Sequence, residues 1–448
     1  MWLDFLKERF REKAAADAVI WRDRAVSYSW ILKRFEHWLV ELDRHNIHAG
    51  TVAVLDAEYS PDSIALLLAM IERALVLVPL TPSAGPKKAE YVQLAETEAI
   101  LRLSTADSVE VVMTGAVARH PLYATLRERK HPGLVLFSSG TSGTSKGTVH
   151  DFTGLLAKFH TRRRDLRTLT FMQFDHIGGL DTLLYSLSNG SCIITVEDRS
   201  PQSVCRAIAL HKVEVLPVTP TFLNLLLLSE AYEGHDLSSL KFITYGTEVM
   251  PQSTLDRVAQ LFPNVTLLQK YGTTEIGTLR SKSKAPDSLW VKIGGEGFET
   301  RIVDGLLEVK ARSAMLGYLN APSPFTDDGW YKTGDAVEQD GEFIRFLGRV
   351  SEIINVGGEK VYPAEVENVI QQMPEVAEVT IYGEKNPITG QIVVATVTPA
   401  ESMDHKDLVR RIKVFARERL EPFKVPVKIT IVDRAQHSER FKKARLAR

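Results

Sequence analysis

Two textures of apolar and polar positions divide this chain, and they meet near Val303. Before that point helical and strand spacing alternate. Apolar residues recur at helical spacing from Tyr28 to Leu42, a turn falls at Ala49-Gly50, and Thr51 to Leu55 predicts a strand. A second helix around Asp62 to Arg73 leads to a buried strand from Ala74 to Pro79. Leu134 to Phe137, Ser191 to Val196, Val213 to Pro217 and Phe242 to Tyr245 continue the same short apolar strands. Helices alternating with such strands predict an α/β fold with doubly wound, mostly parallel sheet. After Val303, the segments Gly305 to Lys310, Gly329 to Gly334 and Gly341 to Phe346 are short strands parted by Gly and Asp turns, closer to an antiparallel sheet or small β-barrel. Gly348-Arg349 reads as a joint. Beyond it, helices from Pro363 to Met373 and Lys406 to Leu420, with strands from Val376 to Tyr382, Gln391 to Val397 and Lys428 to Val432, make a separate α+β unit of ordinary domain size.

Composition adds mainly exclusions. At 448 residues the chain should form two or three domains, since a single core rarely grows past about 300 residues. Fifty-five basic against 56 acidic residues leave a formal charge of -1, so no global field draws in nucleic acid or an anionic membrane. Partners must be sought in local sites. Cys192 and Cys205 are too few for a disulfide framework and lie in no metal-ligand spacing. Met1 to Lys13 is heavily charged, and the longest apolar stretch, Ile64 to Leu80, is broken by Glu72 and Arg73. A cytoplasmic protein without a membrane span or a nucleic-acid partner is the expectation.

The densest chemistry lies between Leu134 and Gly147, where an apolar strand stops in a tract of hydroxyls and glycines. Gly140, Gly143 and Gly147 allow successive N–H groups to face one concavity. Ser138, Ser139, Thr141, Ser142, Thr144 and Ser145 add short donors, and Lys146 a point charge, a set suited to a polyphosphate. Ser145 stands before Lys146 where a Walker loop needs Gly, so this is not the P-loop of that NTPase class. Four further segments offer parts of a nucleotide site. Tyr245-Gly246-Thr247-Glu248 ends an apolar strand, with an aromatic and a glycine backbone to frame a flat base. In Tyr271-Gly272-Thr273-Thr274-Glu275, Gly272 allows a tight turn, Thr274 can donate to a phosphate and Glu275 is a hard oxygen ligand for Mg²⁺. In Trp330 to Asp335 the carboxylate of Asp335 can accept from both hydroxyls of a ribose, an Asp in a hairpin turn being the plainer alternative. In Gly348 to Lys360, Arg349 can reach a phosphate or ribose, or form a buried ion pair at the domain junction.

Taken in order, these segments resemble the motifs of the adenylate-forming superfamily of acyl- and aryl-CoA ligases, luciferases and peptide-synthetase adenylation domains. The terminal run Gln436 to Arg445 resembles that family's last motif, with Lys442 as its lysine. The resemblance spans essentially the whole chain. It implies a large domain over residues 1–348, a hinge at 349–351 centred on Ser351, and a small mobile domain over 352–448. It also implies ATP and Mg²⁺, a carboxylic acid as substrate, and CoA, or a carrier-protein phosphopantetheine, as acceptor. Lys442 would bridge carboxylate and α-phosphate with Thr274, Mg²⁺ would be held through Glu275, and the loop at Ser138 to Gly147 would hold the β- and γ-phosphates. Gly357, Gly358 and Lys360 would line the face on which the thioester forms. Three positions depart from the family pattern: Ser145 for Pro, Ser351 for Asp or Lys, and Phe441 for Gly.

The acyl pocket should lie near Phe171 to Leu180. There the family's Phe-His-x-x-Gly stretch matches His176 and Gly179, with the imidazole beside the reacting carboxylate. An amino-acid-activating register would instead use Phe174-Asp175, with the Asp holding an ammonium. Gly246 and Gly277 would leave room for an aryl or branched acyl group. The alternatives to a CoA ligase are an enzyme that loads an amino or acyl group onto a carrier protein, and a non-catalytic nucleotide-binding relative.

Overall fold

The computed structural model describes residues 1–103, 109–139, 145–437, 441 and 443. Four sheets carry the architecture. The first runs in the spatial order Gly317–Tyr318, Ser145–Asp151, Gly133–Ser139, Val76–Leu80, Val52–Asp56, Ala99–Leu103, Val109–Met113. Its middle is parallel, Val52–Asp56 pairing both Val76–Leu80 and Ala99–Leu103 in that sense. The helix that precedes this sheet, Tyr28–Arg44, buries Tyr28, Ile31, Phe35, Trp38 and Leu42, a stripe at helical spacing, and the Ser27 hydroxyl caps its N-terminus. It packs on the helix Pro61–Glu72, which is apolar all round and buried along almost its whole length. The one carboxylate taken into that interface, Asp62, is matched by the Trp38 indole N–H at 2.9 Å and by the Arg34 guanidinium, as a buried charge requires.

The second sheet has the order Thr266–Gln269, Phe242–Tyr245, Val215–Val218, Thr168–Thr170, Ile193–Thr195, Asp17–Trp21, Arg24–Ser27. It is parallel apart from the hairpin that closes it. The expected doubly wound α/β layer is thus present twice. The third sheet is antiparallel, with the order Arg280–Ser283, Val291–Gly294, Phe343–Arg349, Tyr331–Asp340, Leu306–Ala311, Phe298–Val303, and it begins before Val303. The fourth belongs to the small C-terminal domain. There Val376–Asn386 and Gly390–Pro399 form a long antiparallel pair, flanked by Lys428–Ile431 and by the hairpin Ile354–Val356/Glu359–Val361. The helices Pro363–Ile370 and His405–Arg417 cover that sheet and bury Val366, Ile370, Leu408 and Ile412.

Two sequence expectations are corrected. Ser145 to Gly147 were read as loop, yet they begin the return strand Ser145–Asp151, which pairs antiparallel with Gly133–Ser139 in the register Ser138↔Lys146. Gly147 lies in close packing within this strand: a Cβ there would lie 2.9 Å from a Leu319 methyl and 3.0 Å from a Leu94 methyl. Asp335 does not sit in a hairpin turn but within the strand Tyr331–Asp340. Among the described residues, no helix is long and apolar enough to cross a membrane. Cys192 and Cys205 are buried free thiols, and burial pushes both up to about 11.

Candidate active site

Three adjacent parallel strands of the second sheet end at one level, in the register Val218↔Tyr245↔Gln269. The segments that follow them, Thr219, Gly246 to Glu248 and Lys270 to Glu275, therefore emerge side by side. The carboxyl ends of parallel strands are where open α/β sheets bind ligands. The backbones are tight there: a Cβ on Gly246 would stand 2.5 Å from the Lys270 carbonyl oxygen. Gly246 is thus required by its neighbouring strand, whatever room it also leaves. Tyr245 does not play the part expected of it. Its ring is 1% exposed inside the core cluster of this sheet, so it offers no face to a base. Thr247 is exposed with φ +73. Glu248 turns away from a nucleotide role toward the helix Pro220–Ser229, its Oε2 accepting from the Thr221 hydroxyl at 2.7 Å.

The Thr274-Glu275 turn is braced from three directions. Gly272 and Thr273 pair with Thr278 and Gly277, and a Cβ on Gly272 would meet the Gly277 carbonyl oxygen at 2.6 Å. His150 reaches the Thr274 carbonyl through Nε2 at 2.7 Å. Burial lowers the pKa of that imidazole, which keeps it neutral, so Nε2–H is the donor. The Met315 N–H donates to the Glu275 carbonyl at 2.7 Å, and the Tyr318 hydroxyl to Glu275 Oε1 at 2.7 Å. Lys146 lies over the Tyr318 ring, 5.1 Å from its centroid. One tyrosine thereby joins the strand that follows the polyphosphate loop to the carboxylate expected to bind metal. Ser138 lies in the strand before that loop, opposite Lys146, and Ser139 opposite Ser145. Gly140, Thr141, Ser142 and Gly143 lie outside the described residues.

Asp335 and Arg349 face each other on paired strands, with Arg349 Nε 3.2 Å from Asp335 Oδ1. The second carboxylate oxygen accepts from the Tyr271 hydroxyl at 2.7 Å. Tyr271 in turn stacks on Phe346, centroids 4.6 Å apart. Burial raises the Asp335 pKa despite Arg349 and Tyr271, and the nearby Glu275 charge adds to the rise. Asp335 is thus ion-paired with Arg349 and near enough to Glu275 to feel its charge.

The C-terminal tip completes the cluster. His437 and Lys443 bridge as an antiparallel pair, and of the residues between them only Phe441 is described. Lys442 itself lies outside the described residues. Its neighbours on both sides are docked on the large domain: Phe441 O accepts from the Thr219 hydroxyl at 2.7 Å, and the Lys443 N–H donates to Glu248 Oε1 at 2.6 Å. On the small-domain side, His437 Nδ1 is 2.7 Å from Glu378 and Lys443 Nζ is 2.9 Å from Glu367. The Asn224 amide also spans the domains, donating to the Ala377 carbonyl at 2.9 Å.

In the expected acyl region, His176 caps the helix Ile177–Asn189, its Nδ1 accepting from the Gly178 N–H at 3.1 Å. A neutral ring then carries its proton on Nε2. Gly179 permits a close backbone approach, since a Cβ would overlap the Gln173 carbonyl. Asp175 is buried and accepts from Thr81 at 2.7 Å and Ser83 at 3.3 Å, an engagement that counts against the amino-acid register. Gly277 adopts φ +81 between Leu155 and Ser313. Lys158 pairs with Asp181 and donates to the Thr278 carbonyl at 3.1 Å. The ammonium of Lys270 has its pKa lowered by burial, with Asp181 pulling the other way. Gly357 and Gly358 form the exposed turn of the small-domain hairpin, at φ +62 and +97, with Lys360 exposed on its second strand. Among the described residues, no hydrogen bond joins that hairpin to the Thr274–Asp335 cluster. Ser351 is exposed in the short turn Val350–Glu352.

Sequence reasoning missed Thr219, His150, Tyr318 and Lys443. Each is brought in from a distant segment by strand register or by docking, and no local motif marks it.

Lys146 over Tyr318, the braced Thr274-Glu275 turn, the Asp335–Arg349 pair and the docked Phe441 and Lys443 make up the candidate site of an adenylate-forming fold. Residues 6–311 match the AMP-binding enzyme family and residues 365–442 its C-terminal domain. The chain belongs to that family. It is 27% identical to the indoleacetate–CoA ligase of Aromatoleum aromaticum, over 93% of this chain and 91% of the relative. Identity to the 2-succinylbenzoate–CoA ligase of Listeria monocytogenes is 26%, over 96% and 95%. An anthranilate CoA ligase solved with anthranoyl-AMP shares the fold, with a TM-score of 0.84 at 19% identity, covering 99% of this chain and 95% of that one.

The family uses Mg²⁺ with ATP. Among the described residues, no group of three His, Cys, Asp or Glu could hold a metal unaided. A single buried carboxylate, Glu275, fits an ion whose other ligands are phosphate and water oxygens.

Proposed function

We propose that this protein is a cytosolic ATP-dependent acid–thiol ligase acting on an aryl or branched carboxylic acid, with CoA as acceptor. The observation that carries the reading is the docked tip. Both chain neighbours of Lys442 are bonded to groups at the strand ends that lead into the Thr274-Glu275 turn. In this reading Lys442 joins the phosphate-side and carboxylate-side halves of one reaction.

In the first step a carboxylate oxygen attacks the α-phosphorus of ATP, the bond to pyrophosphate breaks, and acyl-AMP remains. No protein nucleophile is needed. Lys442 and Thr274 hold the charge that builds on the α-phosphate, Lys146 and the 138–147 segment hold the departing pyrophosphate, and Asp335 accepts from the ribose hydroxyls. Glu275 would hold Mg²⁺, which when bound would neutralise phosphate charge. His176 lies beside the carboxylate, at the capped end of its helix. In the second step the thiol sulfur attacks the acyl carbonyl, its proton passes to solvent, and AMP leaves. The small domain turns about Ser351 and presents Gly357, Gly358 and Lys360 to the pantetheine arm.

Similarity to two CoA ligases over more than nine-tenths of the chain supports CoA as acceptor. The engagement of Asp175 with Thr81 and Ser83 favours a substrate without an ammonium. The test is pyrophosphate release across fatty, aryl and amino acids, with and without CoA. Release with an aryl or branched acid, and thioester only when CoA is added, is expected. No release with any acid would leave a nucleotide-binding protein instead.

A further inference from the structure

Among the described residues, Phe441 is the aromatic side chain carried on a left-handed backbone. Its φ is +52, a region closed to bulky side chains unless the surroundings over-determine it. The surroundings here do. The ring lies 5.2 Å from Phe171 and 5.8 Å from Phe222, the latter edge-on at 81°. Phe171 and Phe222 are fully buried members of the large domain's second-sheet core and contact each other at 4.7 Å, so this wall belongs to the large domain itself. His437, from the tip's own base, stacks on Phe441 at 5.5 Å and 15°, and it is tied to the small domain through Glu378. Thr219, with no solvent exposure, spends its hydroxyl twice: it caps Phe222 N–H at 3.1 Å and donates to Phe441 O at 2.7 Å. The ring is thus held between a wall of one domain and a histidine of the other.

We propose that Phe441 is a latch that selects the domain arrangement for adenylation, its ring docking against Phe171 and Phe222 and its carbonyl on Thr219. Aromatic pairs in an apolar site hold through both burial and geometry. A glycine at 441 would permit the same φ without any hold. For the small domain to turn toward thioester formation, the ring must leave the wall. Phe441 therefore favours the first half-reaction and resists the passage to the second. Phe441 is a positioning residue, acting through its neighbour.

The inference rests on the ligase reading for its kinetics but not for its geometry, and the experiment separates the two. In full-length protein, hydrogen exchange is followed over the 437–448 peptide, together with acid-dependent pyrophosphate exchange and conversion of supplied acyl-AMP and CoA to thioester. Phe441→Ala should lose the protection of the Lys443 N–H and slow adenylation by about 10- to 100-fold, the scale of a misplaced reacting group. Transfer from supplied acyl-AMP should continue at the wild-type rate or faster. Phe441→Gly, which relieves the backbone but lacks the ring, should lose the same protection. Thr219→Val should weaken protection and adenylation, and Thr219→Ser should restore both. Unchanged exchange in Phe441→Ala, or equal loss in both half-reactions, would overturn the latch. Should the wild type activate no acid, the ligase reading fails, and the exchange result still decides whether Phe441 holds the tip.

Discussion

The two halves of the candidate site are built in opposite ways. On the large domain, Glu275 and Asp335 are part of the sheet system itself. Asp335 has Arg349 as its strand partner, and Glu275 is bound through its carbonyl by Met315 and through its carboxylate by Tyr318. On the small domain, the tip around Lys442 is held by contacts that all cross a domain boundary or end at a single side chain: Phe441, Lys443, His437. The first half is built on sheet pairing, whereas the large-domain contacts of the second are side-chain contacts outside the sheets. On the proposed turn of the small domain, one set of groups would stay while the other leaves, as two reactions in sequence require.

Within the fixed half the largest effect is expected at Asp335. Asp335→Asn should lower kcat/KM for ATP by about 10- to 100-fold, the worth of a hydrogen bond to a charged group. It should do so without loss of stability. Burial raises the Asp335 pKa, so the folded state disfavours its charge. The contribution of Asp335 to stability is therefore complete below the ordinary Asp range and is lost as pH rises through the raised value. The melting temperature of Asp335→Asn relative to wild type should climb across that window and level off above it. A variant that instead loses stability relative to wild type as pH rises toward the ordinary Asp range would show that Arg349 and Tyr271 outweigh burial.

A smaller effect belongs to the withdrawable half. Glu248→Ala removes the acceptor of the Lys443 N–H and of the Thr221 hydroxyl. It should slow adenylation by about tenfold, consistent with one charged hydrogen bond, while leaving transfer from supplied acyl-AMP intact. Equal slowing of both steps would place Glu248 in the fixed half. The smallest expected effect is at the turn of the small-domain hairpin. Gly358 stands at φ +97 with open space around its missing Cβ. Gly358→Ala strains the backbone by about 1 kcal/mol and should reduce thioester formation a few-fold, with pyrophosphate exchange untouched. A fall in exchange would mean that the hairpin serves the first step.

Legibility followed the range of the interactions. The parallel layers were readable because short apolar runs alternate with helical spacing, and the carboxylates because each lies in a compact local motif. Tyr245 was misread although period two already argued against it: Ile243 and Tyr245 share a face of the strand Phe242–Tyr245, and Ile243 is core. Tyr318, His150 and Thr219 carry no local signal, since strand pairing and helix capping bring them in from segments 43 to 222 residues away from their partners. The positive φ of Phe441 could not be read at all. A phenylalanine in sequence looks like core, and only the docked wall explains why a bulky residue tolerates that conformation.

The central claim is that Lys442, delivered by the tip, serves acyl-adenylate formation and not thiol transfer. The most direct measurement compares Lys442→Ala with wild type in two assays, acid-dependent exchange of pyrophosphate into ATP and conversion of supplied acyl-AMP plus CoA to thioester. The account predicts that exchange falls by about 10²- to 10³-fold, the cost of removing one preorganised charge-stabilising donor, while thioester forms from the supplied adenylate at the wild-type rate. Exchange at the wild-type rate would contradict it.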